Sequence, residues 1–160
     1  MTCSHGFHSD CVEHQCTCVQ SSHNLDVHKC NKSKVLEAIV IGHPLHTPNI
    51  ACTSHQLTTH SLVYNYCGNN ITTSWKKGQR VEDFCRAHPD SRDEYKPIST
   101  FHRHDFNREF EVTGIFLSCE QNGIQIATEL CNDNPLIYSL GAAPLANRLP
   151  AAHDFYFITW

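Results

Sequence analysis

Two apolar runs, Val112 to Cys119 and Ile124 to Cys131, flank the tetrapeptide Glu120-Gln121-Asn122-Gly123. Asparagine followed by glycine supplies positive φ where a tight turn needs it, so the segment predicts an antiparallel hairpin. In the return arm Ile124, Ile126, Thr128 and Leu130 alternate with Gln125, Ala127 and Glu129. That period of two sends one set into a core and leaves the other nearer water. Pro97 to Phe101 ahead of the hairpin, Leu136 to Leu140 after the turn at Asp133-Asn134-Pro135, and Asp154 to Trp160 also read as strands. An antiparallel sheet of four or five strands is expected.

Upstream of the sheet the pattern is looser. Val35 to Ile41 enters a core as a strand or a short helix, and Pro44 and Pro48 enforce extended or turning chain. Between His55 and Tyr66 the apolar positions fit a helix about as well as a strand. Cys67-Gly68-Asn69-Asn70 then marks a stop suited to a helix end. Trp75 with Lys76 and Lys77 reads as an exposed turn with an anchoring indole, and the charged stretch Arg86 to Lys96 as a solvated loop. Residues 1–33 are poor in aliphatics and read as an irregular extension. Residues 34–160 are expected to form one α+β domain. A chain of 160 residues buries enough surface for a core without metal or disulfides.

The chain holds ten cysteines and thirteen histidines, and five of each fall within the first thirty residues. Three chemical states are open: disulfides formed in a secretory or periplasmic compartment, zinc held by thiolates and imidazoles, or reduced, unligated thiols. The Cys16-Thr-Cys18 pair is too tight for a zinc knuckle. Cys3, His5, His8 and Cys11 form the candidate zinc quartet of the extension; the fold itself requires no cofactor. Cys119 and Cys131 flank the hairpin and either pair across it or pack.

Twelve basic against sixteen acidic residues give a net charge of −4, which leaves no positive excess for a phosphate backbone, so nucleic acid is not an expected partner. No apolar run approaches the ~18 residues of a spanning helix, and the first residues lack the three-part pattern of a signal peptide. Action outside the cytoplasm is expected only if the cysteines are oxidised.

Thr73 to Val81, Pro97 to Phe101, Thr113 to Leu117, Asn122 to Ile126 and Ala152 to Ile158 stand in an order and spacing that resembles the NlpC-like, papain-fold cysteine amidases, specifically the short bacterial BPSL-type proteins. The resemblance covers about residues 55–160. It implies a papain-like α+β fold in which a cysteine at the start of a helix precedes an antiparallel sheet carrying a histidine. It also implies cleavage of peptide or amide bonds, commonly in peptidoglycan, by a thiolate that an oriented imidazole activates. Carried onto this chain, the nucleophile's position falls near Thr59, the base's on Val112, and the orienting group's near Thr128 or Glu129.

Other residues therefore become the candidates. Cys52 precedes the expected helix and is the preferred nucleophile; Cys67 lies at its end, where the helix dipole disfavours a thiolate. His104 is the preferred base and His102 the alternative, with Asp105 adjacent. Two functions follow: a cysteine amidase acting on cell-wall peptide, or a non-catalytic binding module of the same fold whose partner is cell-wall peptide or protein.

Overall fold

The computed structural model describes the backbone of 7–12 and 15–20, together with residues 28–45, 52–53, 55–145 and 149–160. Strands β1 (Phe7–Val12) and β2 (Gln15–Gln20), within the stretch read as an irregular extension, pair antiparallel as a two-stranded ribbon. Helix α1 (Lys32–Ile41) resolves the strand-or-helix alternative at Val35 to Ile41. It starts where the Asn31 side chain accepts a hydrogen bond from the Lys34 N–H at 3.1 Å. It stops at Gly42, whose φ of 65° suits glycine and whose N–H returns to the Ala38 carbonyl.

Helix α2 (Ser61–Tyr66) follows, then a 3₁₀ turn at Thr72–Ser74, strand β3 (Lys76–Arg80) and helix α3 (Val81–Ala87). Strands β4 (Lys96–Thr100), β5 (Thr113–Glu120), β6 (Gly123–Glu129), β7 (Pro135–Leu140) and β8 (Phe155–Thr159) complete a six-stranded sheet in the order β3-β8-β4-β5-β6-β7. Every pairing in it is antiparallel. The architecture is α+β; α1 and α2 precede the sheet as expected, α3 falls between its strands β3 and β4, and the sheet has one strand more than expected. The extra strand, β3, is an edge strand reading Lys-Lys-Gly-Gln-Arg; it has no apolar alternation to betray it. Trp75 just before it is fully buried in the core and does not anchor an exposed turn.

Both faces of the sheet are covered. Val35 and Ala38 of α1 and Leu62 and Val63 of α2 pack with Ile115, Leu117, Trp75 and Ile158 on one side. Val81 of α3 packs with Phe116, Ile124, Ile126, Phe155 and Phe157 on the other, with Phe84 against them. Two covered faces explain why most of the alternate set in β6 is withdrawn from water: Ala127 and Glu129 are buried like Ile124 and Ile126, and Gln125 is half-buried.

The Asn-Gly hairpin is present, with Glu120 paired to Gly123 across Gln121 and Asn122. Its cause differs from the sequence expectation, because neither Asn122 nor Gly123 has a positive φ. Glycine is required at 123 because a Cβ there would lie 1.9 Å from the Leu140 carbonyl oxygen of the neighbouring strand.

The six described cysteine side chains form three disulfides: Cys30–Cys67, Cys52–Cys131 and Cys85–Cys119. Cys119 and Cys131 each find another partner, so the cross-hairpin pairing does not form. The bonds tie the start of α1 to the end of α2, the chain before α2 to the end of β6, and α3 to β5. Among the described residues, no helix is long and apolar enough to cross a membrane.

Candidate active site

The chain enters α2 along the end of β6. Thr58 bridges Leu130, the Thr59 N–H donates to the Glu129 carbonyl, and the Cys131 N–H donates to the Leu57 carbonyl. This pairing fixes His60 immediately before the first turn of α2, with a φ of 61°. A histidine in the left-handed region is held there by its surroundings rather than by its own preference. Around it lies a buried polar network of Thr58, Thr59, Ser61, Thr113, Thr128 and Glu129.

Each ring nitrogen of His60 is engaged. Nε2 lies 2.9 Å from the Arg108 backbone carbonyl, which can only accept, so Nε2 carries the proton. Nδ1 then accepts from the Thr113 hydroxyl at 2.7 Å, with the Thr58 hydroxyl 3.4 Å away. The Phe106 ring meets the imidazole edge-on with centroids 5.3 Å apart and in turn packs on Trp75. His60 is 2% exposed, and burial pushes its pKa down to about 4. The imidazole is neutral and sealed beneath the segment between β4 and β5.

Glu129 anchors the same helix start. One carboxylate oxygen accepts from the Thr59 hydroxyl at 2.9 Å and the other from the Leu45 N–H at 2.8 Å. Thr128 donates its hydroxyl to the Thr113 carbonyl at 2.6 Å. Val112, which occupies the base's position in the resemblance, is buried among apolar side chains.

The sequence candidates lie elsewhere. Cys52 is bonded to Cys131 and offers no thiolate in that state; Cys67 is likewise bonded, to Cys30. Cys52 is stapled to the end of β6, whereas the His104 backbone carbonyl accepts from the Lys77 N–H of β3, so the two are tied to different strands. Asp105 is claimed by Lys76, 2.7 Å away, which holds its carboxyl below the ordinary range.

Of the two histidines in the segment, His102 is the one with a buried carboxylate. Glu111, 1% exposed, accepts from the His102 N–H at 2.9 Å and the Thr100 hydroxyl at 2.8 Å, and lies 3.1 Å from His102 Nδ1. Neither His60 nor Glu111 stands out in the sequence. His60 is one position from the Thr59 register, and Glu111 lies two residues before a strand buried at every position but its last.

Of the proposed zinc quartet, Cys3 and His5 lie outside the described residues. His8 and Cys11 are described only as β1 backbone. Among the described residues, no group of three or more His, Cys, Asp or Glu is placed to hold a metal ion.

A helix start facing an antiparallel sheet is the arrangement the resemblance implied, and comparison with family models agrees at a coarser level. The model described as domesticated amidase effector 2 matches residues 33–134. The chain belongs to the domesticated amidase effector 2 family. No curated protein and no solved structure matches it. The matched span runs from α1 to the turn before β7, and so includes the helix start, the Glu111–His102 pair and all of β5 and β6. Within the described part of this amidase-effector domain, the helix start carries an imidazole and every described cysteine is disulfide-bonded.

Proposed function

We propose that this chain engages the peptide of the bacterial cell wall without hydrolysing it by a cysteine mechanism. One observation carries the reading. At the start of α2, the seat of the nucleophile in the resemblance, stands a buried, neutral His60 with both ring nitrogens hydrogen-bonded. Thiol hydrolysis needs a thiolate within reach of an imidazole, so that sulfur attacks the carbonyl and the imidazole hands a proton to the leaving amine. Here the helix start offers no sulfur, and the adjoining sheet position offers Val112 rather than a base.

Family membership supports peptidoglycan as the target. The narrower NlpC-like, BPSL-type assignment is part of the same proposal, supported by the helix-then-sheet order and the seat at α2. The three disulfides favour an oxidising, extracytoplasmic place of action. A zinc ion in the N-terminal extension is compatible with this reading and is not required by it.

Sedimentation with purified peptidoglycan sacculi tests the proposal. The disulfide-intact protein is expected in the pellet with the sacculi. Protein left wholly in the supernatant overturns the cell-wall reading.

A further inference from the structure

Glu111 has a second consequence. It is a buried carboxylate whose two oxygens are turned on one exposed residue, His102, through both its backbone N–H and its ring. The His102 side chain remains 71% exposed although its Nδ1 is held, so the other edge of the ring faces outward. His102 and Phe110 line two neighbouring cavities, one of about 880 Å³ and one of about 320 Å³, and so form the saddle of a groove. A surface histidine fixed in this way is oriented before any ligand arrives, which lowers the entropic cost of recognition.

The charges of the groove select the ligand. Its acidic groups are engaged within the protein: Asp105 with Lys76, Glu111 with Thr100 and His102, and Asp154 with the Ala151 N–H at 3.2 Å. Arg103 lines the larger cavity and Arg80, whose Nε and Nη2 donate to the Tyr156 hydroxyl, lines the smaller, while Phe110 is 57% exposed between them. Cationic and imidazole donors on either side of an exposed ring suit an anion carried on a partly apolar chain. A guanidinium offers a forked pair of donors to a carboxylate, and a protonated His102 donates from Nε2 while Nδ1 stays on Glu111.

We propose that His102, positioned by Glu111, anchors a free carboxylate of the cell-wall stem peptide in this groove. The proposal rests on the cell-wall reading above and adds the site and the chemical feature recognised.

The test compares a synthetic stem peptide ending in a free carboxylate with the same peptide as its C-terminal amide. Both are titrated into the full chain by calorimetry at mildly acidic pH. The acid is expected to bind about tenfold more tightly than the amide, equivalent to roughly 1.4 kcal/mol. His102→Ala is expected to erase the difference while lowering the melting temperature only slightly, because Glu111 keeps the Thr100 hydroxyl and the residue-102 N–H as donors. Glu111→Gln, which keeps the shape and a hydrogen bond to Thr100, is expected to reduce the difference to a smaller residual.

Equal affinity for acid and amide overturns the carboxylate assignment and leaves the broader reading intact. So does full discrimination retained by His102→Ala. Failure of both peptides to bind a protein that sacculi still retain also overturns the assignment. Loss of retention on sacculi would instead strike the proposed function itself.

Discussion

His60 couples its protonation to stability in a direction opposite to that of a salt-bridged histidine. Its folded pKa of about 4 lies below the ordinary value of 6.5, so on acidification the unfolded chain binds the proton first. The stability contributed by a neutral His60 is complete above the ordinary value and drains away as the pH falls towards about 4. The whole window is worth about 3 kcal/mol. Urea denaturation at several pH values across that window should show the slope, and His60→Gln should lose it. A second prediction contrasts two glycines. Gly123→Ala should destabilise by about 2 kcal/mol or more, since the new methyl overlaps a backbone carbonyl of β7 that cannot move aside. Gly141→Ala, whose Cβ would sit 3.6 Å from the nearest oxygen, should be close to neutral in the same melting experiment.

Among the elements, the hairpin was legible because its signal is local: two strand-forming runs and a turn within about twenty residues. The existence of the turn followed from Asn122-Gly123, but the demand for glycine came from β7, which no local pattern displays. Strand β3 and the burial of Trp75 escaped for the converse reason. Two lysines beside the indole suggest a surface, yet an edge strand tolerates polar side chains while the tryptophan ahead of it turns inward. The disulfides were equally illegible. Cys52–Cys131 closes a separation of 79 residues and Cys85–Cys119 one of 34, both set by tertiary placement rather than spacing. Replacing Cys52 and Cys131 together by serine should cost about 4.5 kcal/mol by the loop-entropy argument, measured by denaturant unfolding with Cys30–Cys67 and Cys85–Cys119 intact.

For the molecule as a whole, the helix-before-sheet order could be read from the sequence and the chemistry of its central seat could not. The register reached Thr59, and the next residue proved to be the one enclosed by Arg108 and Thr113, partners about fifty positions away in the chain. A domesticated amidase effector 2 member built in this way keeps a groove, a disulfide-braced sheet and a sealed, neutral imidazole at the helix start. On the proposed reading it holds cell-wall peptide without cleaving it by a thiol mechanism. The decisive measurement is chromatographic and mass-spectrometric analysis of soluble fragments after purified sacculi are incubated with the disulfide-intact protein. The prediction is a fragment profile identical to that of sacculi alone. Release of stem peptides with newly exposed amino groups, abolished by prior alkylation of thiols, would contradict it.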